Sequence, residues 1–137
     1  MKNVRLTKNL VHYRVAMKIT RFEDIEAWKA ARKLGQSLST TLRSRTKFPD
    51  SDLADQLLRC AGSIMANIVE GFDSGSDREL VRFLKIAYRS GSELQSHLYS
   101  ALDQRHLNQA TFDSLYAQAR ETKALIGGFV KYLKSCR

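Results

Sequence analysis

The stretch SDLADQLLRCAGSIMANIVEGFDSG, residues 51–75, decides the fold. Leu53, Leu57, Ala61, Ile64 and Ile68 recur every three or four residues, and Met65 and Val69 widen the seam. That spacing is one apolar face of an α-helix. Asp50 or Ser51 is placed to cap its start, and Asp52 and Asp55 put negative charge at the positive end of the helix dipole. Gly71 stands where a left-handed C-terminal residue is wanted, so the helix is expected over residues 51–70. Gly71-Phe72-Asp73-Ser74-Gly75 reads as the clearest loop of the chain.

Three more helical segments flank this one. Upstream, Ile25, Trp28, Ala31, Leu34, Leu38 and Leu42 set a helix from about Arg21 to Arg45, ended by Lys47-Phe48-Pro49-Asp50. Downstream, Ser76 and Glu79 form a capping-box pattern. Leu80, Phe83, Leu84, Ala87, Leu94, Leu98 and Ala101 carry that helix to about Gln104. Asn108 signals a turn, and Thr111 is expected to cap a last helix bearing Phe112, Leu115, Ala119, Ile126, Phe129 and Leu133. Gly127-Gly128 weakens its middle by about 1 kcal/mol per glycine, so a bend or a close approach is expected there. Short connections between long helices give an all-α, antiparallel up-down-up-down four-helix bundle over residues 21–137, preceded by a basic extension at 1–20.

Composition agrees. A single proline, Pro49, permits long helices, and 43% hydrophobic with 27% charged residues suits a globular chain rather than a disordered one. No apolar run approaches the roughly 20 residues that span a bilayer, and the N-terminus lacks the apolar region of a secretory signal. Cys60 and Cys136 fall in no metal-ligand spacing and read as reduced thiols of a cytoplasmic protein. The net charge is +9, and Lys2, Arg5, Lys8, Arg14, Lys18 and Arg21 supply six of those charges with no acid among them. A basic arm suits a polyanion such as nucleic acid. It reads equally as a solubilising tail, or as the product of an upstream start, since Met17 could itself begin the protein.

Several stretches together resemble a known family. They are Phe22-x-x-Ile25-x-x-Trp28-x-x-Ala31, Phe48-Pro49, the run from Gln56 to Gly71, and Ser76-x-x-Glu79-x-x-Arg82-Phe83-Leu84-x-x-Ala87-x-x-Ser90-x-x-Glu93-Leu94. They are similar to the bacterial four-helix-bundle family named after proteins encoded in intervening sequences of large-subunit ribosomal RNA genes. The likeness covers about residues 20–135, and Ser63-Ile64-x-x-Asn67-Ile68-x-Glu70-Gly71 is its most specific part. Leu58 and Cys60 stand where an arginine and an alanine are commoner, and Arg89 where a glycine is usual. The resemblance implies a closed homo-oligomer, a ring of five bundles, and no enzymatic activity. The chain also resembles the accessory variability proteins of diversity-generating retroelements, which bind a reverse transcriptase and its template RNA.

Two polar constellations are candidates for function. Gln56, Arg59, Ser63, Asn67 and Glu70 make a stripe beside the apolar seam. It reads either as a binding face or, with greater weight, as structure: Asn67 and Glu70 anchoring the loop at Gly71, and Arg59 paired with a carboxylate. Arg78, Arg82, Lys85 and Arg89 share one face of the third helix and could follow a phosphate backbone. An ordinary solvated face, offset by Glu79 and Glu93, explains them slightly better on sequence alone. Trp28, Phe83, Phe112 and Phe129 read as core, while Tyr13 and Tyr88 are freer to stack on bases.

Catalysis finds little support. His12, His97 and His106 are scattered, and Asp103-x-x-His106 is half of a di-metal motif without its partners. The glycine loop at 71–75 lacks the phosphate-binding lysine. The expectation is therefore a protein with no catalytic residue, no metal and no cofactor, away from the membrane, that binds RNA and serves a reverse transcriptase. The alternative is an oligomeric scaffold that binds protein only.

Overall fold

Four helices make up the computed structural model, which describes residues 19–44 and 46–135. After a short 3-10 turn at Phe22–Asp24, they are α1 (Glu26–Leu42), α2 (Ser51–Asp73), α3 (Asp77–Asp103) and α4 (Gln109–Ser135). No strand occurs among the described residues. Lys2, Arg5, Lys8, Arg14 and Lys18 lie outside the described residues, as do Tyr13, Met17 and Cys136.

Each helix packs against two others, α1 on α2 and α4, and α3 on α2 and α4, so the four close into a square. Contacts give the directions. Gly71 of α2 meets Leu80 of α3 while Ser63 meets Ser90, so the two run antiparallel. Tyr88 meets Lys123 while Tyr99 meets Phe112, which makes α3 and α4 antiparallel too. The apolar seams read in the sequence turn inward, except that Trp28 and Phe83, expected in the core, are only half-buried. Ala31, Leu34, Leu38, Leu57, Ile64, Ile68, Leu84, Ala87, Leu94, Leu98, Ala119, Ile126 and Leu133 are fully buried. Each of the larger ones contributes roughly 1.5–3 kcal/mol by leaving water. At one end, Phe48 from the α1–α2 connection is buried and its ring lies 5.1 Å from that of His106 in the α3–α4 turn.

Caps explain the starts of three helices. The Asp50 carboxylate accepts the Leu53 N–H at 3.0 Å, the Ser76 hydroxyl accepts the Glu79 N–H at 3.1 Å, and Asn108 accepts the Thr111 N–H at 2.8 Å. The last corrects the expectation that Thr111 caps α4. The amide of Asn108 reaches the orphan donor first, and Thr111 falls inside the first turn. The first helix is also shorter than its periodicity suggests, because residues 22–24 wind as a 3-10 turn held by Asp24, whose carboxylate accepts the Thr20 and Arg21 N–H groups at 2.9 and 3.2 Å.

The end of α2 corrects a second expectation. The helix runs through Gly71 to Asp73, and the left-handed residue is Gly75, with φ +79°. Gly71 is needed for room instead. A Cβ there would sit 2.9 Å from both Leu80 Cδ1 and Phe83 Cβ, so the bare backbone lets α2 and α3 close against each other. Gly127 and Gly128 stay within an unbroken α4 and have no crowding neighbour. The close approach expected there occurs at Gly71, and at Gly91, where a Cβ would lie 2.8 Å from Lys123 Cγ.

Candidate nucleic-acid interface

Position on α3 determines which side chains share the outer surface. Arg78, Arg82, Lys85 and Arg89 are spaced by four, three and four residues, which keeps them in line over three turns. All four are exposed. They are not equally available. Arg82 Nε donates to Glu79 Oε2 at 2.7 Å, and its guanidinium lies 4.5 Å from the centroid of the Phe83 ring. That hydrogen bond holds the Glu79 carboxyl below its ordinary range. Phe83 is consequently half-covered by its neighbour rather than sunk in the core.

Tyr88 and Tyr99 lie roughly a quarter-turn from this line, on the side facing α4, and about 17 Å apart along the helix. Both are exposed, at 42% and 49%. Lys123 Nζ sits 4.7 Å from the Tyr88 centroid and also donates to Gln95 Oε1 at 2.8 Å. Tyr99 packs on Phe112 at 4.9 Å and Tyr116 at 5.5 Å, and the Arg120 guanidinium lies 5.5 Å from the Tyr116 ring. A hydrogen bond to Tyr116 raises the pKa of the Tyr99 hydroxyl. Exposed rings with cations beside them can stack on bases and hold phosphates at once. Of this set, the sequence reading singled out only Tyr88. Tyr99, Tyr116, Arg120 and Lys123 come from two helices, and their meeting depends on the α3–α4 register.

The polar stripe of α2 has other duties than those expected. The Ser63 and Ser90 hydroxyls pair at 2.8 Å across α2 and α3. Asn67 Nδ2 donates to Ser63 O at 2.8 Å and to Ser63 Oγ at 3.1 Å, so its amide serves its own helix and not the loop. The loop is held by Ser74, whose hydroxyl donates to Gly71 O at 2.6 Å. Glu70 is exposed, and Arg59 is exposed without an ion pair among the described residues.

A different polar group gathers on the α2 side of α3. Cys60, Glu93 and His97 bring their potential ligand atoms within 4.8 Å of one another, the one such group of three among the described residues. Burial, reinforced by the charge and hydrogen bond of Glu93, pushes the Cys60 thiol up to about 11. Glu93-x-x-x-His97 is a one-turn spacing that the reading of His97 as scattered passed over, and Cys60 joins it only through helix packing. Asp103, by contrast, is exposed, and His106 is occupied by Phe48. Among the described residues no helix is long and apolar enough to cross a membrane.

Comparison with known proteins agrees with this architecture. The model of the 23S rRNA-intervening sequence protein family matches residues 23–128. No curated protein matches the chain. Among solved structures, it is similar to a protein with unknown function from the S23 ribosomal protein family of Bacteroides thetaiotaomicron. The TM-score is 0.71 at 18% identity, over 77% of this chain and 95% of that one. At that identity the likeness speaks to the fold.

Proposed function

The chain belongs to the 23S rRNA-intervening sequence protein family, and from that premise we propose that it acts without catalysis, binding RNA through the outer surface of α3 and the α3–α4 seam. The observation that carries this reading is the pairing of an exposed cationic line, Arg78, Arg82, Lys85 and Arg89, with two exposed tyrosines a quarter-turn away. Cations alone are common on solvated helices. Cations beside open rings meet both needs of single-stranded nucleic acid, charge neutralisation and base stacking. The basic residues Lys2, Arg5, Lys8, Arg14 and Lys18 would add phosphate contacts, and nothing in the set reads base edges, so shape and strandedness would govern affinity.

In the same reading the bundle assembles into a homo-oligomer of five copies and hands its RNA to a reverse transcriptase of a retroelement. Repetition around a ring would multiply weak patches through effective concentration. An open groove between α1 and α2 supports assembly: Gly35 and Gly62 have clear space around them, and Leu58 beside them is 37% exposed. That groove also favours a second reading, in which the ring is a scaffold for another protein and its charge aids encounter only.

RNA binding by the full chain and by a version starting at Met17, titrated over salt, separates the two. Binding that weakens as salt rises, and weakens further without residues 1–16, is the expected result. No binding by either version would sink the RNA reading and leave the scaffold.

A further inference from the structure

Glu93 and His97 are one helical turn apart on α3, and antiparallel packing brings Cys60 of α2 against them. Cys60 is buried, His97 is partly buried, and the Glu93 side chain is 64% exposed. The Nε2 atom of His97 is itself buried and has no hydrogen-bond partner. Glu93 Oε1 is 3.6 Å away, too far for a hydrogen bond. Leaving such an atom unsatisfied is costly, because it has given up water and gained no partner in return. An exposed Glu–His pair on a helix would not have this cost, because water would reach the ring nitrogen. Here a ring nitrogen, a sulfur and a carboxylate oxygen converge, and the nitrogen still lacks a partner.

We propose that Cys60, Glu93 and His97 form a binding site for a divalent cation of the zinc class, joining α2 to α3. Sulfur, imidazole nitrogen and carboxylate oxygen are the donor types such an ion accepts, and three protein ligands leave a fourth tetrahedral position. The solvent-exposed side of Glu93 is where a water or a donor from a bound molecule would fill it. Charge balances: a thiolate and a carboxylate neutralise the dication, so little net charge is left against the helix seam. On binding, the S–H bond breaks, the proton goes to solvent and the sulfur lone pair forms the metal bond. His97 contributes Nε2 as a neutral ring carrying its proton on Nδ1. The site lies on the α2 flank of α3, the opposite flank from Tyr88 and Tyr99, and its Glu93 stands one turn beyond Arg89, at the edge of the cationic line. The ligand atoms already lie within 4.8 Å of one another, and Glu93, the most exposed of the three side chains, has the most room to adjust.

The test uses the full chain with Cys136→Ser, so that Cys60 is its one thiol. Cobalt(II) is added as the probe and followed by visible absorption, and zinc(II) is then used to displace it. One cobalt per chain is expected, with a thiolate-to-metal charge-transfer band that zinc abolishes. In that background Cys60→Ala should lose the band altogether. His97→Gln should bind at least about 10-fold more weakly, the lower bound even for losing an outer partner of a metal ligand. Helical circular dichroism of each variant without metal establishes that it is folded. Absence of the charge-transfer band in the folded parent, or an equal metal affinity in folded Cys60→Ala, would overturn the proposal.

Discussion

A Cβ on Gly71 would lie 2.9 Å from Phe83 Cβ, so the bare backbone at the end of α2 packs directly on the Leu80 and Phe83 side chains of α3. Phe83 Cβ is fixed to its own helix and cannot rotate away. Gly71→Ala therefore forces the helices apart, an overpacking cost of about 1–3 kcal/mol. A gain of about 1 kcal/mol in helix propensity offsets part of it. Gly71→Ala should lower the melting temperature, while Gly128→Ala, which has clear space around it within α4, should raise it. Equal shifts in thermal unfolding for the two variants would contradict the close-approach account.

The α3–α4 turn offers a stabilising change. Arg105 has φ +64°, with its N–H bonded to Leu102 O at 3.0 Å and the His106 N–H to Ala101 O at 2.9 Å. This is the paired bonding of a helix end closed by a left-handed residue, a position that favours glycine. A side chain in that conformation costs roughly 1–2 kcal/mol. Glycine surrenders roughly 0.5–1 kcal/mol of that through its freer unfolded chain. Arg105→Gly should thus stabilise the protein by about 0.5–1 kcal/mol, read as a higher denaturation midpoint at unchanged slope.

That turn also shows where the sequence stops being legible. The seams of α1 to α4 were readable because period 3.6 is a local property, and residues such as Leu34, Ile64, Leu84 and Ile126 are buried as their spacing requires. Asp50 and Ser76 were readable as caps for the same local reason. Arg105 was not, since no residue preference marks an arginine as left-handed. Gly71 carried the right residue and the wrong reason, because a helix-ending glycine and a close-contact glycine look alike until the neighbouring helix is in place. The cationic line on α3 was visible, being confined to one helix. Tyr99 with Tyr116, Lys123 with Tyr88, and Cys60 with His97 join different helices, and only register brings them together.

Acid should reveal the Glu79–Arg82 pair. The hydrogen bond from Arg82 lowers the Glu79 pKa in the folded chain, so folding favours the ionised carboxylate. Its stabilisation is complete above the ordinary carboxylate range and is lost as pH falls through the depressed folded value. Both groups are exposed, so the effect is small and screened by salt. The melting temperature of the parent should exceed that of Glu79→Gln at neutral pH, and the gap should narrow as pH drops below the ordinary range. A gap that persists in acid would assign the difference to something other than ionisation.

Salt dependence distinguishes the two parts of the proposed RNA surface. Arg78 and Arg89 flank the exposed line, and neither has an ion pair among the described residues. If each neutralises one phosphate, Arg78→Ala and Arg89→Ala should each flatten the plot of log affinity against log salt by about 0.7 for single-stranded RNA. Tyr88 carries no charge and offers a ring. Tyr88→Ala should weaken binding by about 1–3 kcal/mol, the worth of one stacked base, and leave the slope unchanged. The same loss on duplex RNA, whose bases are already stacked, should be smaller. A Tyr88→Ala variant that binds single-stranded RNA like the parent would remove stacking from the account and reduce the surface to a patch of charge.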